Sequence, residues 1–218
     1  MAGYPIYIFD AYGTLFDLSA ATRNVLAEHP SNARLLAEIW RARQMEYAWT
    51  DMALGLPTNL WDTTTRALDT ALQMVGFDAD APLRDDLLAA YAELDAYDDA
   101  LPTLERISTK GGRSLIFSNA NPEMLRKSVA AAKLDEALDE AVSVDNVGFY
   151  KPNPKAYAYI QAHLGIDSAD AYFVSSNPWD AAGAANARFK SIWVNRLQQP
   201  YPFPAMLPYR EVGSLSEL

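Results

Sequence analysis

The chain opens with an apolar run, Tyr4-Pro5-Ile6-Tyr7-Ile8-Phe9, that ends in a single carboxylate, Asp10, followed by Ala11-Tyr12-Gly13-Thr14. Such a run reads as a strand buried on both faces. Gly13-Thr14 turns the chain away, so Asp10 is delivered at the strand's C-terminal end, where open α/β sheets place ligands. A buried charge is costly unless it is paired or used. Asp10 is therefore the leading reactive candidate; the alternative at this point is a carboxylate that only receives backbone hydrogen bonds where the strand stops.

The next stretch carries helical periodicity and no strand. It predicts helices near 18–29, 32–53, 58–76 and 82–94, divided by His29-Pro30-Ser31-Asn32, Gly55-Leu56-Pro57-Thr58 and Gly76-Phe77-Asp78. The second helix puts Ala37, Arg41, Met45 and Ala48 on one stripe. Arg41 is thus a cation on an apolar face, either laying its stem along the core with its head in water or serving as an anion ligand.

From about 96 onward the pattern alternates helices with short apolar strands, the signature of a parallel sheet. A helix over 98–109 leads into a strand over Ser114–Phe117, and later strands fall at Ala141–Val144, Ala171–Val174 and Ser191–Val194. The fold class is α/β: a Rossmann-like parallel-sheet core over 1–15 and 96–218 with a four-helix domain, 16–95, inserted after the first strand. The Pro-rich stretch Gln199–Pro208 reads as an ordered excursion.

Composition narrows the function. A net charge of −10 argues against nucleic acid and anionic membrane as partners. No run reaches the length of a membrane span and the N-terminus lacks a basic leader, so a soluble cytoplasmic protein is expected. The absence of Cys removes thiolate chemistry, and His29 and His163 are too few for a multi-histidine site. An anionic substrate would have to be gathered by particular members of the 18 Lys and Arg.

Three loops share one grammar: Ser118-Asn119-Ala120-Asn121-Pro122, Lys151-Pro152-Asn153-Pro154 and Ser175-Ser176-Asn177-Pro178. In each, Asn suits an N-cap and Pro the first helical position. Three helix N-termini with Lys151 beside them would make an anion site. Capping accounts for Asn121, Asn153 and Asn177 but leaves Ser118, Lys151 and Ser175 unexplained. Asp180 suits the first turn of a helix as well as it suits a reactive site.

The order Asp10, Ser118, Lys151, Asp180 at successive strand ends resembles the haloacid dehalogenase superfamily along the whole chain, with the inserted helices as its cap domain. Magnesium-dependent phosphatases of that superfamily carry a second aspartate two residues after the nucleophile and acidic residues opening the fourth motif. Here Tyr12 and Ser175-Ser176 stand there. That removes oxygen ligands a magnesium ion requires and the proton donor for a phosphate ester's leaving group. The pattern is similar to the L-2-haloacid dehalogenase branch in Asp10, Tyr12, Thr14, Arg41, Ser118, Asn119, Lys151, Tyr157, Ser175, Asn177, Trp179 and Asp180.

The resemblance implies a metal-independent and cofactor-independent hydrolase that converts (S)-2-haloalkanoic acids to (R)-2-hydroxy acids through an ester on Asp10. It places the substrate carboxylate on Ser118 and the backbone N–H groups of Ala11, Tyr12 and Asn119, and the departing halide on Arg41 and Asn119. Lys151 and Ser175 would orient Asp10, with Thr14 and Asn177 in the same catalytic set. Asp180 would help activate water, while Tyr12, Tyr157 and Trp179 would line the substrate site. The only partner implied is a small 2-halocarboxylate, and a homodimer is compatible with it. Familiar members usually have glutamine at the place of Ala42, an aromatic at Leu60 and glycine at Ala120. Azetidine-2-carboxylate ring opening, a phosphatase and a non-enzymatic binding module of the same fold are the alternatives.

Overall fold

The computed structural model describes residues 4–57, 59–77 and 81–218; Thr58 and Asp78, which the sequence reading used as element boundaries, lie outside them. Six strands form one parallel sheet: β1 Ile6–Phe9, β2 Arg113–Ser118, β3 Glu140–Ser143, β4 Ala171–Ser175, β5 Lys190–Val194 and β6 Arg210–Val212. Their spatial order is β3-β2-β1-β4-β5-β6. The chain winds outward from β1 to one edge, returns to its other side at β4, and winds out again. Such a reversal leaves a crevice at the C-terminal ends of the central strands.

Register carries the reactive positions into that crevice. Phe9 pairs with Ile116 on β2 and with Val174 on β4, and the ladder runs one residue further, with Asp10 N–H donating to Val174 O at 2.9 Å. Asp10 and Ser175 therefore emerge side by side, with Ser118 one residue further along its strand. The strands are apolar because helices cover the sheet: α5 Ala100–Thr109, α6 Pro122–Ala131, α7 Pro154–Leu164 and α8 Pro178–Asn186.

Between β1 and β2 come α1 Ala20–Val25, α2 Pro30–Ala53, α3 Leu60–Val75 and α4 Ala81–Ala92. These form the inserted helical cap. Pro30 opens α2, where its missing N–H has no intrahelical use, and Gly76 closes α3 at φ 81°, a left-handed conformation that favours glycine. The two connections to the core hydrogen-bond each other: Asp17 N–H donates to Asp95 O at 2.8 Å and Tyr97 N–H to Leu15 O at 2.9 Å.

Two expectations need correction. The first cap helix spans only Ala20–Val25, because the residues after it tighten into turns closed by Leu26 N–H to Thr22 O and His29 N–H to Leu26 O. The sheet also has a sixth strand, Arg210–Val212, after the Pro-rich excursion; two of its three residues are exposed charges on an edge, so it carries no apolar signal.

Candidate active site

Lys151 is the centre of the crevice. Its side chain is 0% exposed, and its three ammonium protons go to Asp10 Oδ1 at 2.9 Å, Asp180 Oδ2 at 2.7 Å and Phe117 O at 2.8 Å. With every donor used, Lys151 is not the direct anion ligand that its place beside the helix N-termini suggested; it is a fixed cation between two carboxylates. Burial alone would pull its pKa down, but Asp10 and Asp180 together hold it above the ordinary lysine value.

Asp10 is held asymmetrically. Oδ2 accepts from Thr14 Oγ1 at 3.1 Å, Ser175 Oγ at 3.3 Å and Asn177 Nδ2 at 2.7 Å, whereas among the described residues Oδ1 accepts from Lys151 alone. Thr14 is itself fixed by accepting from Ser176 N–H at 2.8 Å. The three Asn-Pro loops behave differently from one another. Asn121 and Asn153 cap their helices by accepting from Met124 and Lys155 N–H, but Asn177 makes no side-chain cap and turns Nδ2 to Asp10 and Tyr12 O. Ordinary capping thus fails as an account of Asn177.

Asp180 is fully buried, far from a solvated first-turn carboxylate. Its Oδ1 accepts from Tyr157 Oη at 2.6 Å. Burial, opposed by the Lys151 charge, pushes its pKa up to about 6. Burial and the neighbouring Asp180 charge raise Tyr157 well above an ordinary phenol, so it serves as a neutral donor. Tyr157 packs against Gly183, where an added Cβ would lie 2.3 Å from the Tyr157 hydroxyl oxygen.

The anion side of the crevice is built from backbone. The N–H groups of Ala11, Tyr12 and Asn119 have no hydrogen-bond partner among the described residues. Ser118 Oγ accepts from Ala120 N–H at 3.1 Å and keeps its own proton available. The Asn119 amide is clasped to Lys151, donating to its carbonyl at 3.2 Å and accepting from its N–H at 2.8 Å, which leaves one Nδ2 proton for a ligand. Tyr12 is buried, and its hydroxyl is engaged with Ser128 Oγ at 3.0 Å. Among the described residues no group of three or more His, Cys, Asp or Glu side chains converges as a metal site would require.

The cap closes over this arrangement. A cavity of about 560 Å³ lies between α2 and the sheet's C-terminal edge, lined by Gly13, Leu18, Ala37, Arg41, Ser176 and Asn177 among others. Arg41 is half-buried on the wall of this cavity, beside the Asn177 loop, and lies close enough to the buried Tyr12 and Tyr91 phenols to act on both, so it faces inward, not onto the cap's outer surface. Trp179 meets Trp49 of α2 edge-on at 5.4 Å, and Trp49 Nε1 donates to Lys151 O at 3.2 Å. Sequence reasoning missed Trp49 as well as Gln44, the buried partner of Arg41; each shares a helical face with Arg41, which was the available signal. Of the three departures, Ala42 is exposed on α2, while Leu60 and Ala120 are buried.

A parallel sheet with a helical cap inserted after β1, and a strand-end aspartate joined through a buried lysine to a second aspartate, define a class. Residues 4–188 match the model of the haloacid dehalogenase-like hydrolases, and the chain belongs to that family. Within it, the chain is similar to (S)-2-haloacid dehalogenase 1 of Pseudomonas sp. (strain CBS-3), 40% identical over 97% of this chain and 93% of the relative. Among solved structures, a dehalogenase superposes with a TM-score of 0.94 at 37% identity, covering 100% of this chain and 96% of the other. The L-2-haloacid dehalogenase from Xanthobacter autotrophicus with chloropropionic acid covalently bound superposes at 0.86, with 31% identity over 97% and 95% of the two chains.

Proposed function

We propose that the protein is an (S)-2-haloacid dehalogenase. Asp10 Oδ1 attacks C2 of a 2-haloalkanoate, the carbon–halogen bond breaks with its electron pair leaving on the halide, and an aspartyl ester forms with inversion at C2. The attacking atom follows from hydrogen-bond occupancy, since Oδ2 already accepts from three donors and Oδ1 from one. The unpaired N–H groups of Ala11, Tyr12 and Asn119, with Ser118, receive the substrate carboxylate, and Arg41 faces the departing halide, with the remaining Asn119 proton beside it. Tyr12 and Trp179 bound the substrate's apolar part.

Water then attacks the ester carbonyl of Asp10 while Asp180 takes its proton. Tyr157 and Lys151 hold the Asp180 carboxylate, each of whose oxygens keeps a lone pair for that water. Collapse of the tetrahedral intermediate breaks the ester bond; the departing alkoxide takes the proton back from Asp180, giving the (R)-2-hydroxy acid, and the Asp10 carboxyl releases its own proton to solvent and is again a carboxylate. Lys151 stays charged through both steps and offsets the carboxylates around it.

The observation that carries this reading is the Lys151 bridge between Asp10 and Asp180, a nucleophile and a base separated by one buried cation. Tyr12 weakens the phosphatase alternative, since a phenol paired with Ser128 and raised by burial well above its ordinary pKa is a poor proton donor to a leaving oxygen. The reading extends to a cytoplasmic homodimer; exposed Leu35, Leu54, Leu56 and Met74 on the cap support an association surface, and sedimentation would test it. The reaction is tested by halide release from each enantiomer of 2-chloropropionate in the presence of a chelator. Release from the (S) form alone is expected, and no release from either would refute the assignment.

A further inference from the structure

We propose that Gln44 is a positioning residue for halide displacement: from inside the cap it holds Arg41 by Nη1 and so fixes which of the other guanidinium N–H groups face the crevice. The inference rests on the reading of Arg41 as the halide ligand.

Gln44 is 1% exposed, in the apolar interior where α2, α3 and α4 meet. A buried amide is costly unless its donors and acceptor are all used. Here they are. Nε2 donates to Thr64 Oγ1 and to Tyr91 Oη at 3.0 Å, and Oε1 accepts from Arg41 Nη1 at 2.7 Å. The amide cannot be turned over. Thr64 gives its hydroxyl proton to Leu60 O at 2.6 Å and can only accept from Gln44, so Nε2 must face Thr64 and Oε1 is left for Arg41, which can only donate. Trp40 Nε1 fixes the same turn by donating to Thr64 O at 2.8 Å.

Arg41 needs such a hold because no other described residue provides one. Among the described residues it has no other side-chain hydrogen bond and no carboxylate within ion-pair distance, in a chain with 28 Asp and Glu. A cation on the crevice wall whose one partner is a neutral amide keeps its full charge for an anion. The hold also reaches the core. The Tyr91 ring stacks on Tyr12 at 5.8 Å with 7° between planes, and Arg41 lies near enough to both phenols to oppose the upward push of burial on each. Tyr12 is two residues from Asp10, so one buried network spans halide ligand and nucleophile.

The test uses Gln44→Met, which keeps volume and removes the bond, and Tyr91→Phe, which keeps the ring on Tyr12 and frees one Gln44 proton. Bromide titration of the free protein by tryptophan fluorescence reads the halide site without turnover, and Gln44→Met should weaken it about tenfold, the scale of one charge-assisted hydrogen bond. Turnover of 2-chloropropionate should fall more than that of 2-bromopropionate, because the poorer leaving group leans harder on Arg41, and the loss should not add to that of Arg41→Lys. Tyr91→Phe should shift both readouts in the same direction and carries the test if Gln44→Met does not fold. Unchanged bromide affinity, or losses equal for both halides and additive with Arg41→Lys, overturns the proposal. Bromide binding that weakens in Gln44→Met while the wild type releases halide from neither substrate supports the positioning role and refutes the proposed reaction instead.

Discussion

Lys151 and Asp180 form a 2.7 Å ion pair with both side chains at 0% exposure, and the same ammonium reaches Asp10. Breaking a buried pair by removing one partner leaves a charge with nothing to balance it. Lys151→Ala is expected to abolish turnover and to lower stability by about 3–5 kcal/mol, the range for an orphaned buried charge. Urea denaturation and halide release check the two halves; near-normal values of both would show that the lysine is dispensable.

The pH profile should show an acid limb near pH 6. Asp180 is raised by burial to about 6, so it loses its capacity to accept a proton from water as pH falls through that value. Ester should then accumulate on Asp10, visible as added mass on the quenched protein. The stability sign runs the other way: between the ordinary 3.8 and about 6 the folded state holds a proton on Asp180 that the unfolded state has released, so this group's contribution falls as pH rises across that window. A flat rate between pH 5 and 7 would remove Asp180 from the hydrolytic step.

Asp10→Asn should retain the fold and lose all turnover, since the amide keeps the shape but is not a nucleophile at carbon. In heavy-oxygen water the wild type should gain label in Asp10 during multiple turnovers. Label found only in the product would mean direct attack by water.

Gly183→Ala should displace Tyr157, because its new methyl would stand 2.3 Å from the hydroxyl oxygen that donates to Asp180. Overpacking of this kind costs about 1–3 kcal/mol. The rate of ester hydrolysis should fall further than the rate of ester formation, as separated by single-turnover kinetics. Equal effects on both steps would assign Tyr157 a packing role only.

Much of this architecture is legible in the chain. The apolar run ending at Asp10 is β1, and the Asn-Pro loops do open α6, α7 and α8. What periodicity cannot reveal is direction: Asn121, Asn153 and Asn177 read alike, yet only the last turns from capping, its Nδ2 donating to Asp10 and to Tyr12 O on a strand end far away in the chain. Nor can it show that Lys151 spends every proton internally, since its partners lie 141, 29 and 34 residues away. Trp49 meets Lys151 across 102 residues. β6 escaped because Arg210-Glu211-Val212 on an edge needs no apolar run.

The paired connections of the cap, Asp17 to Asp95 and Leu15 to Tyr97, place the insertion's entry and exit a single strand spacing apart, with Phe16 bridging Ala96. An insertion whose ends meet is a cassette, since a host fold tolerates its exchange when the junction geometry is kept. Arg41, Gln44, Trp49 and Tyr91 would travel together on it, while Asp10, Lys151, Ser175, Asn177 and Asp180 stay with the sheet. On the proposed reaction, leaving-group tolerance would be carried mainly by the cassette and nucleophilic power by the sheet, so that selection or a protein engineer could re-specify the first with little change to the second, provided the Tyr91–Tyr12 and Trp49–Lys151 contacts across the seam are kept.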